Sequence, residues 1–209
     1  NGMKTYFTTP AAVTGLGGGA VSVFAGGSHT CVLLKEGAVK CWGDNGRGQL
    51  GNGTVTTTRT LTPVDVTGLS SGVVGIVAGS LHTCALLSDG GVKCWGYNGQ
   101  GKLGLGDLLN NRGDAANEMG DFLPTIDLGT GRKAKTVAFG WQHTCAILDN
   151  NSLKCWGLNT EGELGIDSTT NHGDTSDAEH GMGEALPYVN LGSGRTARAV
   201  ATGEAHTCA

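Results

Sequence analysis

The stretch His82-Thr83-Cys84-Ala85-Leu86-Leu87-Ser88-Asp89-Gly90-Gly91-Val92-Lys93-Cys94-Trp95-Gly96 decides the fold. Two short apolar runs flank a polar, glycine-bearing turn, which is the pattern of a β-hairpin. A three-residue turn needs a left-handed third residue, and Gly90 stands there. If Leu87 and Gly91 close the turn, Leu86 faces Val92, Ala85 faces Lys93 and Cys84 faces Cys94. The two cysteines then share a non-hydrogen-bonded site, where opposed Cα atoms lie about 4.5 Å apart, inside disulfide reach.

The same hairpin recurs along the chain. His29-Thr30-Cys31, His143-Thr144-Cys145 and His206-Thr207-Cys208 repeat its start, so that the four copies are spaced by 53, 61 and 63 residues. Lys40-Cys41-Trp42-Gly43 and Lys154-Cys155-Trp156-Gly157 repeat its end, around turns with Gly37 and Asn151 at the left-handed position. A further signature follows each: Asn45…Gly48-Gln49-Leu50-Gly51, Asn98…Gly101-Lys102-Leu103-Gly104 and Asn159…Gly162-Glu163-Leu164-Gly165. Pro10, Pro63, Pro124 and Pro187 mark the links between units. Val74, Ile76 and Ala78 alternate ahead of the hairpin as one more strand. The expectation is therefore an all-β chain of about four short strands per unit, and such units stack radially as blades of a β-propeller. One propeller region spans 1–209, in units of approximately 1–51, 52–104, 105–165 and 166–209, the last incomplete.

Composition agrees with that reading. Glycine supplies 38 of the 209 residues, far above the ordinary share of about 7%, without a three-residue collagen period. Fourteen basic against eighteen acidic side chains leave a charge of −4, which argues against a nucleic-acid partner. No apolar run approaches the roughly 18–20 residues of a membrane span.

The motifs His-Thr-Cys-x-Leu-Leu, Val-Lys-Cys-Trp-Gly and Asn-x-x-Gly-x-Leu-Gly resemble the regulator of chromosome condensation repeat. The resemblance covers essentially the whole chain and implies a seven-bladed β-propeller. At a mean period of 59 residues the chain holds about 3.5 blades, whereas seven need roughly 410 residues. The sequence is thus expected to be part of a longer chain, with the remaining blades supplied by that chain or another.

Six cysteines form three pairs of equal spacing, Cys31–Cys41, Cys84–Cys94 and Cys145–Cys155, which the hairpin register reads as one disulfide per blade. That implies an oxidising, extracytoplasmic location: secreted, on the cell surface or in an organelle lumen. The partner of Cys208 is expected past Ala209. A zinc site from His29, Cys31 and Cys41 has three ligands and no fourth at fixed spacing. The repeated histidines His29, His82, His143 and His206 are read as structural hydrogen-bonding groups. Trp42, Trp95 and Trp156 are read as packing between blades.

Other motifs carry less. Gly46-Arg47-Gly48-Gln49-Leu50-Gly51 and Gly99–Gly104 match a dinucleotide fingerprint, but no helix pattern follows and Thr160 breaks the third copy. Arg112-Gly113-Asp114 is an adhesion triplet only by local variation, since Asn171-His172-Gly173-Asp174 repeats the same Asn-x-Gly-Asp frame. No Gly-x-Ser-x-Gly nucleophile elbow occurs. Asp107, Asn111 and Asp114, and likewise Asp167, Asn171 and Asp174, are oxygen-bearing calcium candidates, though without EF-hand spacing. Asn52-Gly53-Thr54 and Asn150-Asn151-Ser152 are glycosylation sequons.

The sequence points to a non-enzymatic interaction scaffold or a subunit of a larger assembly, with no cofactor. Its partner surface is expected on the variable, acidic loops 107–121 and 167–184. The family prototype implies an alternative, guanine-nucleotide exchange on a small GTPase. A carbohydrate-binding propeller is the third reading.

Overall fold

The computed structural model describes residues 9–108, 110–175, 177 and 179–209. The correspondence of Asn1-Gly2 with later units lies outside them. Regular structure among the described residues is all β, apart from single 3-10 turns at Gly99–Gly101 and Gly120–Phe122. No helix among them is long and apolar enough to cross a membrane.

The strands form antiparallel meanders, one after another. The first sheet holds β1 (Ala20–Ala25), β2 (His29–Leu34), β3 (Val39–Asn45) and β4 (Thr56–Asp65) in sequence order. The second holds β5 (Val73–Ala78), β6 (His82–Leu87) and β7 (Val92–Gly96), and the third β8 (Ala134–Phe139), β9 (His143–Leu148) and β10 (Leu153–Gly157). A fourth begins with β11 (Ala201–Thr202) and β12 (Thr207–Cys208). The first sheet takes its last strand, β4, from the link that follows the Leu-Gly signature, so it is offset from the units marked in sequence.

Among the described residues, four strands occur only in the first sheet. There the link carries Thr56, Thr57, Thr58 and Thr60, β-branched residues suited to a pleated edge. The later links are rich in Asn, Asp and Gly, which do not sustain a ladder. In place of a fourth strand they make one bridge each, Gly96 to Arg112 and Gly157 to His172.

The hairpin register is the one counted from the turn, Leu86 opposite Val92 and Cys84 opposite Cys94. The turn residues Gly37, Gly90 and Asn151 have φ of 80°, 82° and 64°. A repeated irregularity has no sequence signal: the register slips at the same place in β1, β5 and β8, around Val21, Val74 and Lys135. Such a bulge increases local twist and bends the strand.

Apolar side chains collect between successive sheets rather than within one. Leu33, Val39 and Leu50 of the first sheet meet Ile76, Ala85 and Trp95 of the second. Leu103 and Val92 meet Ala146, Leu148 and Trp156 in the next interface. The leading strands β1, β5, β8 and β11 touch one another in turn and form the inner wall.

Candidate functional site

The polar residues of the repeat build the joints between sheets. The Thr83 hydroxyl donates to the Gln49 carbonyl at 3.0 Å, and Trp95 Nε1 donates to the same oxygen at 3.1 Å. The next joint repeats this: Thr144 Oγ1 and Trp156 Nε1 both reach the Lys102 carbonyl, at 3.1 and 3.2 Å. In the last one Thr207 Oγ1 donates to the Glu163 carbonyl at 2.7 Å. The carbonyl before Leu-Gly is therefore a socket for the following sheet. Gly51 lies beneath the Trp95 indole at φ 66°, and a Cβ there would sit 2.7 Å from Nε1.

The histidines connect to the same threonines. His29 Nε2 lies 2.8 Å from Thr83 Oγ1, and His143 Nε2 lies 2.9 Å from Thr207 Oγ1. His82 departs from the expected pattern, since neither ring nitrogen has a partner among the described residues. Phe139 stands where the other units have a small residue, and its ring lies 4.3 Å from the imidazole. Burial holds His29 neutral, with its pKa lowered to about 4, and pushes His82 and His143 down as well. His206 is exposed. Trp95 and Trp156 are fully buried between sheets, whereas Trp42 is only partly covered, because no earlier sheet lies against it among the described residues.

The cysteines meet as pairs: Cys31–Cys41, Cys84–Cys94 and Cys145–Cys155 are disulfides, with Cα separations of 4.1, 4.0 and 4.0 Å. Cys208 is free and exposed.

The loops 107–121 and 167–184 are less available than the sequence suggests. Asn111 Oδ1 accepts from the Asn98 backbone at 3.2 Å, and Asn171 Oδ1 accepts from Asn159 at 2.9 Å. Asp107 accepts from Asn98 Nδ2 and pairs with Arg112 at 3.0 Å. Gly113-Asp114 is laid against Gly48 of the preceding sheet, and Gly173-Asp174 against Gly101. Met119 enters the core. Much of each loop is joint material, because an inserted segment without a ladder must satisfy its backbone on its neighbours. Asn111 Nδ2 also donates to Asp114 Oδ2 at 3.2 Å, and no group of three or more His, Cys, Asp or Glu side chains suited to a metal occurs among the described residues.

Sequence reading assigned no role to Asn45, Asn98 and Asn159. Each is buried, accepts from the backbone of the Leu five residues on, and donates into the returning loop. Their repetition was the available signal. Also missed was the turn after each inner strand. Gly26, Gly79, Gly140 and Gly203 each donate their N–H to the carbonyl of the histidine three residues on, and each packs against that imidazole. The next residue varies: Gly27, Ser80, Trp141 and Glu204. These turns line one recess of about 230 Å³ at the end of the inner wall. Gly27 N donates to the Gly79 carbonyl at 3.1 Å, and Ser80 Oγ to the Trp141 carbonyl at 2.9 Å, fastening the turns to one another. Trp141 is 52% exposed beside them.

Sheets that stack face to face around a shared inner wall define a β-propeller. Comparison with known proteins places it. Two models of the regulator of chromosome condensation (RCC1) repeat match, one over residues 20–49, 73–102 and 134–163 and the other over 36–86 and 89–147. The chain belongs to the RCC1-repeat family. It is 33% identical over 167 residues to the ultraviolet-B receptor UVR8 of Arabidopsis thaliana, covering 79% of this chain and 36% of that one. It is 31% identical over 161 residues to the mitochondrial RCC1 domain-containing protein RUG3 of the same plant, covering 76% and 34%. Among solved structures, human WBSCR16 superposes with a TM-score of 0.76 at 21% identity, over 99% of this chain and 49% of that one. Prp20p of Saccharomyces cerevisiae does so at 0.68 and 22%, over 90% and 43%. The chain spans about a third of the length of these curated relatives and about half of these solved chains.

Proposed function

We propose that this propeller is a non-enzymatic protein-interaction scaffold that works in an oxidising, extracytoplasmic compartment. One observation carries the reading. The repeated Asn, Thr and Trp side chains of the sheet interfaces are engaged in joints, while the positions free to vary in chemistry gather at one recess. Rigid scaffolds presenting variable turns are how repeat folds recognise partners. The three disulfides support the compartment, since such pairs persist where thiols are not kept reduced. The exposed tips of the loops 107–121 and 167–184 add secondary contact area.

Family membership favours a second reading, regulation of a small GTPase. The solved Prp20p structure is described with its binding to Gsp1p and histones, and a dog relative, 31% identical over 147 residues, is an X-linked retinitis pigmentosa GTPase regulator.

Thiol trapping separates the two. Isolated from its source in the presence of an alkylating agent, the protein is expected to show Cys31, Cys41, Cys84, Cys94, Cys145 and Cys155 blocked as pairs and a stably bound protein partner. Alkylated thiols at these positions, together with accelerated nucleotide release from a small GTPase, sink the scaffold reading.

A further inference from the structure

The axial recess has an asymmetric chemistry that its repeat frame does not require. Its four equivalent turn positions carry no side chain, a hydroxyl, an indole and a carboxylate, at Gly27, Ser80, Trp141 and Glu204. No lining side chain is basic. The Ser80 hydroxyl is turned to the Trp141 carbonyl and the N–H groups of Gly26, Gly79, Gly140 and Gly203 to the histidine carbonyls, so these donors are engaged. The basic side chains of the neighbouring turns are also engaged. Arg47 lies over the Tyr97 ring at 5.3 Å, and Lys102 Nζ approaches the same ring at 4.7 Å and Gln142 Oε1 at 3.1 Å. What remains at the recess is a half-exposed indole and, in the adjacent turn, an exposed carboxylate, on a chain of net charge −4.

We propose that the recess receives an arginine side chain of the protein partner, its guanidinium laid on the Trp141 indole and paired with the Glu204 carboxylate. The two groups suit this cation for separate reasons. An indole face attracts a guanidinium through the ring quadrupole and offers a flat surface for stacking. A carboxylate accepts two parallel N–H bonds from the guanidinium fork, which an ammonium cannot supply in that geometry. Ser80 and Gly27 leave room on the opposite side of the recess for the backbone of an extended segment, and the glycine turns hold the floor fixed. This assignment rests on the reading of the propeller as a protein-binding scaffold.

The test titrates the whole protein with acetyl-Gly-Gly-Arg-Gly-Gly-amide and with its citrulline counterpart, which keeps the shape and loses the charge. Binding is followed by calorimetry and by tryptophan fluorescence. The arginine peptide is expected to bind at least tenfold more tightly than the citrulline peptide. Trp141→Leu and Glu204→Gln are each expected to remove at least tenfold, while Glu36→Gln, at a hairpin tip, changes nothing. Equal affinity for the two peptides, or arginine binding untouched by Glu204→Gln, overturns the proposal. The same variants are then assayed for retention of the native protein partner. Loss of the partner with equal peptide affinities leaves the scaffold reading standing and this assignment false. Arginine-selective binding with no protein partner leaves the recess chemistry standing and removes the scaffold reading.

Discussion

Thr83 is the clearest single residue on which the account turns. Its hydroxyl oxygen accepts from His29 Nε2–H and its proton is donated to the Gln49 carbonyl, joining two sheets through one atom. Thr83→Val keeps the shape and removes both bonds, leaving His29 Nε2 buried without a partner and the Gln49 carbonyl with Trp95 Nε1 alone. A loss of about 1–3 kcal/mol is expected in denaturant unfolding, and Thr30→Val, at the partly exposed equivalent position, should stay within about 0.5 kcal/mol. Lys102 makes the opposite case. It is buried without a carboxylate partner, and burial lowers its pKa to about 8. Below that pH the folded state carries a disfavoured cation, so Lys102→Met should raise stability at pH 7 by about 1–3 kcal/mol. A lower melting temperature for that variant contradicts the account.

At the scale of the element, the hairpin and the alternating strand ahead of it were legible, and the bulges, recess turns and links were not. The Cys84–Cys94 register follows from turn length alone, because a fixed three-residue turn leaves the strands no freedom to slip. The slip repeated in β1, β5 and β8 left no such mark, since a bulge depends on how a strand wraps its neighbour. The recess was hidden for a related reason: Ser80, Trp141 and Glu204 are far apart in sequence and alike only in following the same glycine. The asparagine-rich links were over-read as free surface, because nothing in their composition tells a solvated loop from one that packs on the preceding sheet. The disulfides are elements with measurable weight. Each closes a loop of 10 residues, for which chain entropy gives about 2–3 kcal/mol. Replacing Cys84 and Cys94 together by serine should cost about that much in thermal or denaturant unfolding.

At the scale of the whole molecule, the joints share one pH dependence. His29, His82 and His143 are buried and neutral, with pKa values below their ordinary 6.5. The unfolded chain therefore takes up protons first as pH falls. Stability is fully present above pH 6.5 and is lost from there toward pH 4, the value for His29. That histidine alone contributes up to roughly 3 kcal/mol of the loss. The expected result is a melting temperature that is level from pH 7 to 8 and falls steadily between 6.5 and 4; a level curve down to pH 4.5 contradicts buried neutral imidazoles. The central claim is that the repeat builds the frame and the turns at one end of the inner wall do the recognising. The most direct test places a photo-crosslinking residue at 80, 141 or 204, and in parallel at the hairpin tips 36, 89 or 150, in the protein assembled with its native partner. Crosslinks to a protein partner are expected from the first three positions and none from the tips. Crosslinks from the tips alone would place recognition on the opposite end and contradict it.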